Sequence, residues 1–191
     1  MRVIAGQYRS RVLAAPRGWD TRPTTDRLRE TLFNVLAPRI EGAFFVDLYA
    51  GSGAVGIEAL SRGARQAVFV ERAEHALKAI RANVAALGIR GGYALEPRSA
   101  AAALKQLVSS GRTADIVFLD PPYASVDEYE IGLGLLGGEC SQLLAENAVV
   151  ITESSKRHNL AERYGELVRY RVLKQGDAAL SFYRLEPTSQ I

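Results

Sequence analysis

Apolar residues recur along this chain as short compact blocks separated by stretches of helical spacing. Phe44-Phe45-Val46 is the first block, and others follow at 67–70, 93–95, 116–119 and 148–152. Blocks of this length bounded by turn residues predict buried strands. Between them, the stretches starting at Ile57 and spanning 73–87, 100–108 and 126–136 space their apolar residues as helices do, with Gly88 as a stop signal and Ser99 as a cap. Residues 167–173 and 179–185 flank Gly176-Asp177, the signal of an antiparallel hairpin. Ahead of the first block, Leu28, Leu32 and Leu36 share a helix face that Thr24 or Thr25 can cap and Pro38 can stop, which leaves Arg27, Arg29 and Glu30 pointing elsewhere. Val3-Ile4-Ala5 and Arg11-Val12-Leu13 read as a small hairpin. The alternation predicts an α/β fold: a doubly wound, mostly parallel seven-stranded sheet with helices on both faces, closed by an antiparallel C-terminal hairpin. Residues 1–41 form an N-terminal extension on this reading, and 42–191 the main domain.

Composition narrows the picture. The 191 residues suit one domain with a real core. Cys140 is the only cysteine and His75 and His158 the only histidines, so neither a disulfide framework nor a zinc cluster is expected, and a reducing, cytoplasmic setting fits. Arg2, Arg9 and Arg11 interrupt any signal-peptide core, and no apolar run approaches ~18 residues, so neither secretion nor membrane insertion is expected. The formal net charge of +3 is uneven: residues 1–41 hold eight arginines and net +4, and the remainder nets −1. A basic segment made only of arginine suggests phosphate contact, since guanidinium pairs with phosphate in bidentate fashion. Arg9, Arg11, Arg22, Arg27 and Arg29, with Thr24, are the candidate contacts.

The stretch following the first strand carries candidate chemistry. Gly51-x-Gly53-x-x-Gly56 could be a dinucleotide loop, but Asp47 would repel a diphosphate and attract an ammonium or sulfonium cation. S-adenosylmethionine carries both cations and no phosphate. Glu71 ends the second strand 18 residues beyond Gly53, where an acid can accept hydrogen bonds from ribose hydroxyls. Asp47, Glu71, Ser99 and Asp120 each fall at or just past a strand end, the rim on which open α/β sheets bind ligands.

Asp120-Pro121-Pro122-Tyr123 suits a different task. The exocyclic amine of a nucleobase is a poor nucleophile because its lone pair is delocalised. If Asp120 accepts one amine hydrogen and the Pro121 carbonyl the other, the lone pair can be aimed at a methyl sulfonium. Two prolines fix φ, and Tyr123 can stack on the base. Positioning and electrostatics would then supply most of the rate.

Asp47-x-Tyr49-x-Gly51-x-Gly53, Glu71 and Asp120 to Tyr123 resemble the S-adenosylmethionine-dependent amino-methyltransferases of the Rossmann-like class. Arg22-Pro23-Thr24-Thr25-Asp26-Arg27-Leu28-Arg29-Glu30-Thr31-Leu32-Phe33-Asn34, preceded by Arg2-Val3-Ile4-Ala5-Gly6 and followed near the end by Phe182-Tyr183-Arg184, resembles more narrowly the bacterial family that methylates a guanine exocyclic amine of 16S ribosomal RNA. The resemblance covers nearly the whole chain. It implies that Asp47, Tyr49, Ala50, Gly51, Ser52 and Gly53 cradle the methionine end of the cofactor, that Glu71 holds its ribose, and that Arg72 also binds the cofactor. Ser99 and Ala100 would lie at the adenine, although Arg98-Ser99 departs from the commoner acidic or amide residue there. It further implies that Asp120 to Tyr123 present the amine and that the substrate is RNA within the assembled small subunit. Asn83 matches a family asparagine without a derivable role. The alternative is DNA adenine-N6 methylation, which shares Asp-Pro-Pro-Tyr but needs base readout for which no added domain is visible.

Overall fold

A computed structural model describes residues 1–15 and 25–186. The chain divides into two compact units, Met1–Ala100 and Ala101–Ile191. In the first, helix α1 (Asp26–Ile40) precedes strand β1 (Phe44–Asp47), helix α2 (Ala54–Ser61), strand β2 (Gln66–Val70), helix α3 (Glu74–Ala86) and strand β3 (Tyr93–Glu96). β2 lies between β1 and β3 and is parallel to both, with Asp47 opposite Phe69 and Val70 opposite Glu96. The three strands therefore end on the same side, which brings the turns after Asp47, Val70 and Glu96 to one edge.

The second unit carries helix α4 (Ala100–Ser109), strand β4 (Ala114–Leu119), helix α5 (Val126–Leu136) and strands β5 (Leu144–Ser155), β6 (Arg163–Tyr164), β7 (Leu167–Gln175) and β8 (Ala178–Leu185). β4 and β5 are parallel, and β5–β8, β8–β7 and β7–β6 are antiparallel. The fold is thus mixed α/β with parallel strands first and antiparallel strands at the C-terminus. Among the described residues eight strands replace the expected seven, because the two-residue β6 is too short to leave an apolar signature. Among the described residues, no helix is long and apolar enough to cross a membrane.

One local expectation changes. Helix α1 does not stop at Pro38 but runs to Ile40, with the proline in its last turn and buried Ile40 beyond it. Thr25 is its cap, accepting from the Leu28 amide at 3.2 Å. The N-terminal hairpin is present, with Arg2 bridged antiparallel to Val12 and its arms joined by Val3 N to Arg11 O at 2.9 Å, Ser10 N to Val3 O at 2.8 Å and Leu13 N to Met1 O at 3.1 Å. Other amides tie it to α2: Ile4 and Ala5 donate to the Glu58 carboxylate at 2.8 and 3.0 Å, and Tyr8 donates to Ser61 Oγ at 3.0 Å. Gly6 sits at φ +82°, where a Cβ would stand 1.8 Å from the Ser61 carbonyl oxygen. Val3 and Leu13 join Ala54, Ile57, Phe69 and Ile80 in one buried cluster, so the segment is packed as part of the core.

Candidate active site

In the first unit the site is built around the turn that leaves β1. Asp47 is buried, only 1% exposed, and accepts from the Gly56 amide at 3.1 Å, in the first turn of α2. A carboxylate at a helix N-terminus is favoured by the dipole. Burial nevertheless pushes its pKa up to about 7, helped by the charge of Glu71 and opposed by backbone hydrogen bonds from Gly56 and Tyr49. Glu71, half-buried just past β2, accepts from Gly51 N at 3.0 Å with one oxygen and from Ala73 N at 2.8 Å with the other. Gly53 N donates to the Ala50 carbonyl at 2.6 Å. The three amides of the Gly-x-Gly-x-x-Gly stretch are therefore all committed within the protein. At Gly56 a Cβ would come within 2.3 Å of the Phe69 ring, so only glycine lets α2 lie this close to β2.

Asn83 acquires a position. It is buried on α3, donates to the Ser52 carbonyl at 2.9 Å and the Ala14 carbonyl at 3.0 Å, and accepts from Ala14 N at 2.8 Å. One side chain thus ties the glycine turn to the N-terminal segment. Arg72, Arg98 and Ser99 are exposed and Ala100 is buried; Arg98 pairs with Glu96 at 2.9 Å.

The candidate substrate arginines separate. Arg9 and Arg27 are exposed and, with Arg2, Asp26 and Glu30, line a pocket of about 330 Å³. Arg11 is exposed and donates to the Ala86 carbonyl at 3.1 Å. Arg22 and Thr24 lie outside the described residues. Arg29 contradicts its expected place at a ligand or in solvent. It is fully buried, donates to the Arg2 carbonyl, pairs with Asp26 at 3.0 Å and faces Glu58 at 3.8 Å. Desolvation pulls its pKa down, against the raising effect of Glu58 and Asp26. The buried face of α1 is simply wider than the leucine stripe, since Arg29 and Phe33 belong to it. Glu58, which also pairs with Arg62 at 2.7 Å, is a residue that sequence reasoning misses. Its one signal is a lone acid inside the otherwise apolar run of α2.

In the second unit, β4 ends at Leu119 opposite Thr152, one residue short of half-buried Asp120 and buried Glu153. Pro121 is buried, whereas Pro122 and Tyr123 are exposed, the tyrosine at 42%. Tyr123 donates to Glu153 Oε1 at 3.3 Å. The buried Tyr129 hydroxyl lies 3.0 Å from the Glu153 carbonyl and 3.4 Å from that of Pro121. Burial first, then the charge of Asp120, raises the Tyr129 pKa, which keeps it a protonated donor. Tyr129 is also invisible to sequence reasoning, because an aromatic at helical spacing reads as core.

Comparison with known proteins follows the same lines. The family described as Conserved hypothetical protein 95 matches residues 1–184. The Ribosomal RNA small subunit methyltransferase D of Escherichia coli (strain K12) is 38% identical over 97% of this chain and 90% of its own. The protein of that name from Haemophilus influenzae is 34% identical over 97% and 92%. The solved structure of Escherichia coli yhhF superposes with a TM-score of 0.81 at 36% identity, covering 97% of this chain and 98% of its own.

Proposed function

The chain belongs to the Conserved hypothetical protein 95 family, and from that membership we propose that it transfers a methyl group from S-adenosylmethionine to the exocyclic N2 amine of a guanine in 16S ribosomal RNA. Relatives named as small-subunit ribosomal RNA methyltransferases, covered over nearly their whole length, support the RNA reading. The observation that carries the cofactor reading is the commitment of the Gly51, Gly53 and Gly56 amides to Glu71, Ala50 and Asp47. A pyrophosphate needs such amides free at a helix N-terminus. Two acids beside a turn whose glycine amides are committed suit a cationic ligand without phosphate.

In this reading Asp47, Tyr49, Ala50, Gly51, Ser52 and Gly53 hold the methionine end, Glu71 and Arg72 the ribose, and Ser99 and Ala100 the adenine. Bound S-adenosylmethionine supplies an electrophilic methyl group. The remaining work belongs to the protein. Asp120 and the Pro121 carbonyl would each accept one hydrogen of the guanine amine, which holds the nitrogen pyramidal and frees its lone pair for attack. Tyr129 bonds the Glu153 carbonyl and buttresses the base of the turn near Pro121, and Tyr123 stacks on the guanine. Methyl transfer would leave the alkylated nitrogen acidic, and Asp120 or water would take its surplus proton. We assign RNA contact to residues 1–41 through Arg9, Arg11, Arg22, Thr24 and Arg27. The assembled small subunit is the expected substrate, because a short basic segment recognises shape better than sequence.

Calorimetric titration tests the cofactor reading. Saturable binding of S-adenosylmethionine or S-adenosylhomocysteine is expected, with none for NAD. Tight NAD binding without response to S-adenosylmethionine would overturn it.

A further inference from the structure

Phe182-Tyr183-Arg184 takes no part in either loop of the candidate site, and its surroundings have a chemistry of their own. β7 pairs with β8 so that Arg169 stands opposite Tyr183 and Arg171 opposite Phe182, with a register shift between the two arginines. Tyr170 is therefore the extra residue of a β-bulge, a device that re-aims side chains out of strict alternation. In consequence Tyr170 and Arg171, neighbours in sequence, both reach the Phe182 ring. The Tyr170 ring lies 6.3 Å from it and the Arg171 guanidinium 5.8 Å. Arg184 in turn lies over the Tyr170 ring at 5.5 Å.

Burial grades this cluster. Phe182 is buried, Tyr170 is 45% exposed, and Arg171 and Arg184 are exposed. Neither guanidinium makes an ion pair among the described residues, whereas Arg163 and Arg169 in the same unit face Glu186 at 2.6 Å and Glu162 at 3.6 Å. Each guanidinium rests over an aromatic ring, Arg171 over buried Phe182 and Arg184 over exposed Tyr170, so both cations are held in place on the surface with their charge unneutralised. The arrangement matches the chemistry of an unpaired nucleotide segment. The aromatic and guanidinium planes offer stacking faces to a base, and the same cations meet the flanking phosphates. An acidic peptide would use the cations and leave the ring without a role.

We propose that Tyr170, Arg171 and Arg184 on the bulged face of the C-terminal hairpin form a second RNA-binding surface, which takes a single-stranded stretch of the substrate RNA. The proposal rests on the RNA reading given above. It is tested by equilibrium binding of protein-free 16S RNA and of small subunits lacking the modification, over a range of salt, using Arg171→Gln/Arg184→Gln and Tyr170→Leu. The double variant should ease the slope of log affinity against log salt by roughly 0.7 for each phosphate that is no longer neutralised. Tyr170→Leu should weaken binding about five-fold or more with little change of slope. Unaltered binding of S-adenosylhomocysteine serves as the control for folding. Unchanged RNA affinity and slope in both variants would overturn the proposal. So would weaker binding to subunits with protein-free RNA unaffected, since the surface would then serve a ribosomal protein. Absence of RNA binding by the unaltered protein would instead remove the RNA reading itself, and this surface with it.

Discussion

The turn after β1 and the turn after β4 both leave the carboxyl end of a parallel strand, yet they are built in opposite ways. The first is closed upon itself: Asp47 and Glu71 take up its amides, Asn83 holds its Ser52 carbonyl, and only 1% of Asp47 meets solvent. The second buries its base through Pro121, Tyr129 and Glu153 and exposes its tip at Pro122 and Tyr123. A closed turn with spent hydrogen bonds suits a ligand of invariant shape. An open tip on an anchored base suits a group that arrives attached to a much larger molecule.

The comparison is most sharply broken at Asp120. If it positions the amine, Asp120→Ala should lower methyl transfer by about 100-fold or more, with cofactor affinity nearly unchanged. Single-turnover rates alongside calorimetry check this, and near-normal rates would remove the amine-positioning role. Next in size is Glu71→Ala, which removes the charge-assisted hydrogen bonds from Gly51 N and Ala73 N and the proposed contact with the ribose. Cofactor binding should weaken by about 1.5–3 kcal/mol, measured by the same titration.

Asp47 gives a pH signature. Its pKa of about 7 lies above the ordinary carboxylate value. Between about pH 4 and 7 the folded protein thus holds a proton that the unfolded chain has given up, and the Asp47 contribution to stability falls as pH rises through that window. A cationic ligand favours the ionised form, so S-adenosylmethionine affinity should rise with pH up to about 7 and level above it. Asp47→Asn should flatten both trends, as followed by thermal unfolding and titration between about pH 5 and 8. Affinity independent of pH in the unaltered protein would contradict the charge role. A smaller effect is expected at Asn83. Asn83→Ala leaves the Ser52 and Ala14 carbonyls without their donor and should cost about 1–3 kcal/mol of stability, read by chemical denaturation, with a few-fold loss of cofactor affinity. The smallest is Tyr123→Phe, which removes the 3.3 Å hydrogen bond to Glu153 and should leave stability within about 1 kcal/mol.

What is legible in the sequence follows from local signals. Short apolar blocks and Gly-Asp turns announce strands and hairpins whatever surrounds them, so β1 to β5, β7 and β8 are readable. The two-residue β6 has no such pattern. In the site, acids at strand ends are visible because the period of the strand locates its end, which exposes Asp47, Glu71 and Asp120. The residues that hold those turns in place are hidden. Asn83, Glu58 and Tyr129 act across 69, 54 and 24 positions of sequence, on Ala14, Ile4 and Glu153, and no local pattern encodes such partners. Arg29 is misplaced by the leucine stripe for the same reason, since its partners Glu58 and the Arg2 carbonyl lie far along the chain.

The most direct test of the account is the identity of the methylated nucleoside. The protein is incubated with methyl-labelled S-adenosylmethionine and either small ribosomal subunits lacking the modification, protein-free 16S RNA, or DNA, and the digested nucleosides are resolved by mass. Label is expected in N2-methylguanosine, from assembled subunits far more than from protein-free RNA. Label in N6-methyladenine of DNA, with none in RNA, would contradict it.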